Sequence, residues 1–280
     1  YYRKHCFLKM NILFFLIGDG SFSEKEPSPI RNVPKRTGPN GTFSNQKKLL
    51  IFFSFFSTMY PRKEGEKMGQ FVHLHIHSEF SLLDGANRIK DLPVRAKELG
   101  MDAMAITDHG VMYGAIDFYK ACKKEGVKPI IGCEVYVAPR SRFDKEPGVD
   151  NKYNHLILLA KNNQGYKNLS KLVSLGFIDG YYYKPRIDLE ILEKYSEGLV
   201  CLSACLAGSV NQALLNGQNE KAEEIALWHK RVFGEDYYIE LQNNGIKEQV
   251  LANQKLVQLA RKLDIPIVAT NDAHYLKKED

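Results

Sequence analysis

From Phe71 to Ser78 the chain reads FVHLHIHS. In an extended strand alternate side chains share a face, so His73, His75 and His77 would stand in one row. Neutral imidazole is the commonest side-chain ligand for metal ions. Three of them at a period of two point to a metal site more strongly than any single histidine does. Two further segments carry the same residue types. Thr107-Asp108-His109-Gly110 and Asn271-Asp272-Ala273-His274 each follow an apolar, β-branched run. The ends of such strands are where α/β folds place their chemistry.

From residue 71 onward the sequence alternates between the two periods of regular structure. Strands are predicted over residues 71–76, 102–107, 129–137, 155–160, 198–204, 236–241 and 265–270, with helical stretches between them. Gly100 and Gly126 stand where helix C-caps belong, and residues 246–263 show an amphipathic helical period. Seven βα-type units predict a barrel of mainly parallel strands, with a doubly wound open sheet as the second choice. Residues 139–151, mixed in charge and containing proline and glycine, are expected to be the most mobile excursion.

The formal net charge of +6 on 280 residues would suggest a nucleic-acid binder if it were evenly spread. It is not. Residues 1–67 hold 12 Lys/Arg against 5 Asp/Glu, leaving 27 against 28 in residues 68–280. The front segment also differs in texture. Two short apolar runs, 12–17 and 49–56, are separated by a stretch rich in proline, glycine and serine. Neither approaches the roughly 20 apolar residues of a membrane-spanning helix, so no membrane association is expected. Residues 1–67 are read as an extension without a fold of its own, and Met68 as the natural start of a domain covering 68–280. The five cysteines have no disulfide-scaffold spacing, which fits a reducing, cytoplasmic setting. Cys205 alone sits at a strand end, where a thiolate can face a metal.

On this scaffold the candidate ligands gather at one rim. His75 and His77 close the first strand and Asp84 follows in the next loop. His109 comes after the second strand, Glu134 late in the third and His155 at the fourth. Cys205 follows the fifth, and Asp272 with His274 the seventh. Nine N, O and S donors exceed what one ion uses, so a cluster of two or three divalent metals is expected. Imidazole and carboxylate with one thiolate suit Zn, Mn or Fe better than Mg or Ca.

At these residues a family becomes recognisable. The run HLHIHSEFSLLDG from His73 to Gly85, AITDHGVMYGAIDFYKACKKEG from Ala105 to Gly126, then GCEVYVAP, GYYYKPRID and NDAHYL, closely resembles the amino-terminal polymerase-and-histidinol-phosphatase (PHP) domain of bacterial replicative DNA polymerase III alpha subunits. The resemblance spans essentially all of 68–280. It implies a distorted seven-stranded (β/α) barrel with a trinuclear metal centre. The implied ligands are His75, His77, Asp84, His109, Glu134, His155, Cys205, Asp272 and His274, with Asp272, His274 and His109 catalytic. His73 falls outside the implied shell. The implied activity is metal-dependent 3′–5′ exonuclease proofreading, and the implied partners are a single-stranded 3′ DNA end and the rest of the polymerase III holoenzyme. Tyr182, Lys184 and Arg186 in GYYYKPRID are candidate DNA contacts, able to stack on a base or hold phosphates, with an aromatic-rich surface packing on a neighbouring domain as the alternative. The carboxylates of nucleotidyl transfer would lie in a later domain, so synthesis is not expected of this segment. A free-standing phosphatase acting on a small phosphoester, or a catalytically silent structural domain, are the alternative readings.

Overall fold

The computed structural model of the chain describes residues 5–6, 71–277 and 279–280. The two apolar runs of the front segment lie outside the described residues. Strand β1 (His5–Cys6) pairs in parallel with β10 (Ala273–Tyr275). The remaining elements follow in order: α1 (Leu92–Glu98), β2 (Ala103–Ile106), α2 (Ala115–Glu125), β3 (Lys128–Val137), β4 (Asn154–Ala160), α3 (Asn163–Ile178), β5 (Tyr181–Tyr182), β6 (Lys184–Ile187), α4 (Leu189–Lys194), β7 (Leu199–Leu202), α5 (Ser209–Leu215), α6 (Asn219–Phe233), β8 (Tyr237–Gln242), α7 (Lys247–Leu263), β9 (Ile267–Thr270) and then β10. No helix among the described residues is long and apolar enough to cross a membrane.

Backbone hydrogen bonds carry the sheet around a ring. β2 pairs with β3, β3 with β4, β4 with β7, β7 with β8 and β8 with β9. The chain then runs directly into β10, and Ala273 bridges to Ile76 while His73 bridges to Met104 of β2. The segment around residues 73–78 therefore joins β10 to β2, and the sheet curls as a half-barrel of six or seven strands, the distorted barrel type that the family resemblance implies. β4 runs antiparallel to both its neighbours, and the other ring pairings are parallel.

The segment read as a first strand over 71–76 is not a regular strand. It makes single bridges and bends at His75. Thr107 holds the bend: its hydroxyl accepts from Ile76 N at 2.9 Å and donates to Ile76 O at 3.0 Å. The even row of three imidazoles is broken as a result. His73 is buried against Phe71, edge to face at 4.9 Å, and burial pulls its pKa down to about 3.

Helices cover the sheet where the apolar periods require it. Phe118 and Cys122 of α2 and Leu92 and Ala96 of α1 pack with Ile76, Met104 and Ile106 in one buried cluster. Leu74, Ile157, Leu159, Leu202 and Val268 form another. Gly126 ends α2 at φ +73, the left-handed conformation that favours glycine.

A hairpin that the sequence analysis did not predict leaves the ring at β3, where β6 pairs in parallel with Tyr136 and Val137. β5 folds back on β6, and Tyr183 occupies the turn at φ +60. Arg186 of this hairpin is fully buried, and its guanidinium donates to the carbonyls of Gly180, Asp150, Arg142 and Asp144. The expectation that Arg186 holds DNA phosphates is thereby corrected, because its donors are spent on backbone oxygens inside the protein. It fastens the hairpin to residues 139–151, which Arg140 further pins through Asp150 at 2.5 and 3.0 Å. Arg186→Ala should strand four carbonyls and lower unfolding stability by about 3 kcal/mol or more. Chemical denaturation checks this, and a change below about 1 kcal/mol would show that water replaces the guanidinium freely.

Candidate metal centre

The expected ligands converge. Three overlapping groups of donor atoms lie at the rim: His77, His109 and His274; His75, His77, Glu134 and Asp272; and Glu134, His155 and Cys205. Asp84 adds to the first, with Oδ2 3.1 Å from both His109 Nε2 and His274 Nε2. His77 belongs to two groups and Glu134 to two, so the three groups share donors. His73 belongs to none of them.

The middle group tests whether an ion fits. His75 Nε2 stands 3.1 Å from His77 Nε2, 3.0 Å from Glu134 Oε2 and 3.1 Å from Asp272 Oδ1; His77 Nε2 is also 3.1 Å from Asp272 Oδ1. Four ligands about 2.0–2.2 Å from a zinc-sized ion stand about 3.3–3.6 Å from one another, so this spacing approaches a coordination shell. Asp272 Oδ1 is buried between the His75 and His77 imidazole nitrogens, as expected of an oxygen placed for a cation. Imidazole, carboxylate and one thiol make a donor set that could hold divalent metal ions.

A surrounding layer of hydrogen bonds orients the ligands. Nδ1 of His75 donates to Glu240 Oε1 at 2.8 Å, leaving Nε2 turned toward the donor group. Glu240 is itself held by Thr270 Oγ1 and by Gln242 Nε2 at 2.9 Å. On the other side His77 Nδ1 donates to Ser81 Oγ at 3.1 Å, and Ser81 donates to Asp108 Oδ1 at 2.7 Å. Asp108 also accepts from Ser78 N and Ser78 Oγ. His274 Nδ1 donates to the carbonyl of Asp272 at 2.9 Å. Glu240, Ser81 and Asp108 were not among the predicted site residues. Asp108 stood in the quoted TDHG motif, but Glu240 lies in an apolar strand pattern with no local mark of its role. Glu240→Gln should weaken metal affinity about 10- to 100-fold, as loss of such an orienting group commonly does. Competition with a chromogenic chelator measures it; an unchanged affinity would mean that packing alone orients His75.

Charge at the donor groups follows from crowding. Burial pulls the His77 pKa down to about 3, helped by the neighbouring His109 charge. Burial also opposes protonation of His109, but Glu134 and Asp84 outweigh it and raise that pKa to about 10. His75 is likewise raised despite its burial, by the charges of Asp272 and Glu240. Glu134 is held well below the usual carboxylate range, its burial overcome by His155 and His109. Burial and the nearby Asp272 and Glu134 charges push the Cys205 thiol up, so it becomes a thiolate ligand only against a metal's positive charge. Backbone strain gathers here too. Asp272 has φ +53, Ala204 before Cys205 has φ +64, and Leu83 before Asp84 has φ +66.

The domain model for the PHP domain matches residues 73–244 of this chain. The chain belongs to the PHP family. Among curated relatives, its PHP segment is 51% identical over 212 residues to the DNA polymerase III subunit alpha of Borreliella burgdorferi, a match covering 75% of this chain and 18% of that protein. It is 52% identical over 212 residues to the Treponema pallidum subunit, with the same coverage, and 47% identical over 220 residues to the Thermus aquaticus subunit, covering 77% of this chain and 18% of that protein. The chain thus spans less than a fifth of the length of these relatives. Two solved structures share its fold at a TM-score of 0.50. A Bifidobacterium adolescentis protein described as a metal-dependent phosphoesterase is 16% identical, covering 77% of this chain and 91% of its own. An amidohydrolase from Chromobacterium violaceum is 15% identical, covering 75% and 89%.

Tyr182, Lys184 and Arg186, the expected DNA contacts, part company. Arg186 is buried as described. Tyr182 is half-buried, its ring 5.3 Å from the Arg186 guanidinium. Lys184 is half-buried, with Nζ 5.4 Å from the ring centre of Tyr136.

Proposed function

We propose that this PHP domain, assigned to residues 68–280 with residues 1–67 as an extension to it, is part of a bacterial DNA polymerase III alpha subunit. Its proposed activity is hydrolysis of the terminal phosphodiester at the 3′ end of single-stranded DNA, as a proofreading exonuclease. The observation that carries the activity is the complete donor set: nine ligand-competent side chains in three groups that share His77 and Glu134. Identity of about one half to alpha subunits supports replication as the setting, with the rest of the polymerase III holoenzyme as partner and the cytoplasm as location. Synthesis would belong to other domains of such a subunit.

Two or three divalent ions held there supply Lewis acidity toward a phosphoryl oxygen and a nucleophilic water at neutral pH. The protein's part is to fix and complement them. Asp272, His109 and His274 would help hold the ions and are the proposed catalytic residues, with Asp84 the more exposed carboxylate beside His109 and His274. Glu134 and His77, each common to two groups, would be the ligands shared between neighbouring ions. Glu240 and the Ser81–Asp108 pair keep His75 and His77 in the tautomer that presents Nε2. Lys184 adds a positive charge beside the rim for the incoming phosphate.

The test uses single-stranded DNA labelled at its 3′ end. The metal-loaded chain should release labelled mononucleotide, a chelator should stop the release, and added Mn or Zn should restore it. A chain carrying its full metal complement that leaves the 3′ end intact would overturn the nuclease reading.

A further inference from the structure

The register of the sheet continues the row of ligands into a row of aromatic groups. Glu134 and Tyr136 are two residues apart on β3, so their side chains share a face. Tyr136 pairs directly with His155 of β4 on one side and with Arg186 of β6 on the other. Lys184, two residues before Arg186, and Tyr153, two residues before His155, extend the same face beyond the metal groups. The contacts agree with the register. The Tyr136 ring lies 5.4 Å from His155 and 6.3 Å from His109. Tyr153 stands edge to face with Tyr136 at 4.9 Å and parallel to His155, with 4° between the ring planes.

The two tyrosines differ in what they offer. Tyr136 is buried, wedged beside Gly110, where a Cβ would come within 2.9 Å of both Tyr136 and Pro185. It serves as a frame and as the surface over which the Lys184 ammonium lies. Tyr153 is half-buried, rigidly placed by two rings and partly open to solvent. A planar aromatic group and a cation thus flank one side of a centre that handles phosphoryl groups.

Resting on the proposed hydrolysis of DNA ends, we propose that Tyr153, Tyr136 and Lys184 form a subsite for the terminal nucleotide, in which Tyr153 carries the base and Lys184 contacts its phosphate. A sequence-tolerant platform fits this role, because every base has a π-face and stacking on an aromatic side chain does not read sequence. The substrate class is therefore a nucleotide end rather than a phosphoester without a base.

Binding and cleavage separate this subsite from the nuclease reading. The metal-loaded full chain is titrated, by fluorescence anisotropy, into a 5′-labelled oligothymidylate with phosphorothioate linkages, and into the same strand lacking its last base. Removing the base should weaken binding to the parent about 5- to 150-fold, the range that one stacked base provides. The Tyr153→Ala variant should bind both strands alike while keeping its metal, and Tyr153→Phe should restore the preference. Lys184→Gln should weaken binding of both strands and leave the base preference in place. The subsite is overturned if the parent does not distinguish the strands, or if Tyr153→Ala still does. Loss of metal from Tyr153→Ala would also overturn it, since Tyr153 would then be a support for His155. Cleavage of the ordinary phosphodiester strand is scored separately: a chain that prefers the base but does not cut keeps the subsite and loses the exonuclease.

Discussion

Asp272→Asn is expected to reduce hydrolysis by more than about 100-fold, the upper end of what losing a group one step further from a metal costs. The substitution preserves volume but removes an anion from the most crowded part of the centre. Asp272 Oδ1 sits 3.1 Å from Nε2 of both His75 and His77. The two nitrogens themselves are 3.1 Å apart. With ions bound, the carboxylate offsets cationic charge that a neutral amide leaves exposed. The barrel is held by Ile157, Leu159, Leu202 and the apolar residues under α1 and α2. Circular dichroism of the variant should therefore match the parent while its activity collapses. A variant that keeps full metal content and full activity would remove Asp272 from the mechanism.

Glu134→Gln should be at least as severe, for a topological reason. Glu134 is almost fully buried and is the carboxylate common to two donor groups. Its Oε1 faces His109 Nδ1 at 2.5 Å and His155 Nδ1 at 2.9 Å, and its Oε2 faces His75 at 3.0 Å. One substitution thus weakens two neighbouring sites together, and the ion count should fall by at least one, with hydrolysis at background. Asp84→Asn is the comparison. Asp84 is 40% exposed and lies beside the first group, through His109 and His274, so its loss should cost less activity than either buried carboxylate. Elemental analysis of the three variants beside their rates checks the ranking; equal losses in all three would show that the groups do not differ as their geometry implies.

The sequence marks these ligands because they cluster in short motifs at strand ends, and α/β folds bring such ends together. HLHIHS, TDHG and NDAH are readable in that way, and the cap at Gly126 follows from the same local rules. What escapes is whatever depends on register or burial. Glu240 looks like one acidic residue in an apolar strand until β8 is placed beside Ser203 and Thr270, which hold its backbone and its carboxylate. Arg186 reads as surface charge because composition reports the guanidinium and not the four carbonyls around it. The β5–β6 hairpin turns at Tyr183, where neither glycine nor asparagine announces a positive φ. His73 shares the spacing of His75 and His77 and is lost from the shell because the chain bends at His75, a bend fixed by Thr107, which follows the neighbouring strand β2 about thirty residues later in the sequence. Tyr153 and Tyr136 become one feature only through the pairing of β3 with β4.

If the nine donors form one multinuclear centre, metal stoichiometry reports it. The full chain, purified after equilibration with zinc or manganese and freed of loosely bound ions, should carry two to three divalent ions per molecule by elemental analysis. A stoichiometry of one or less would contradict the shared-ligand cluster on which the account rests.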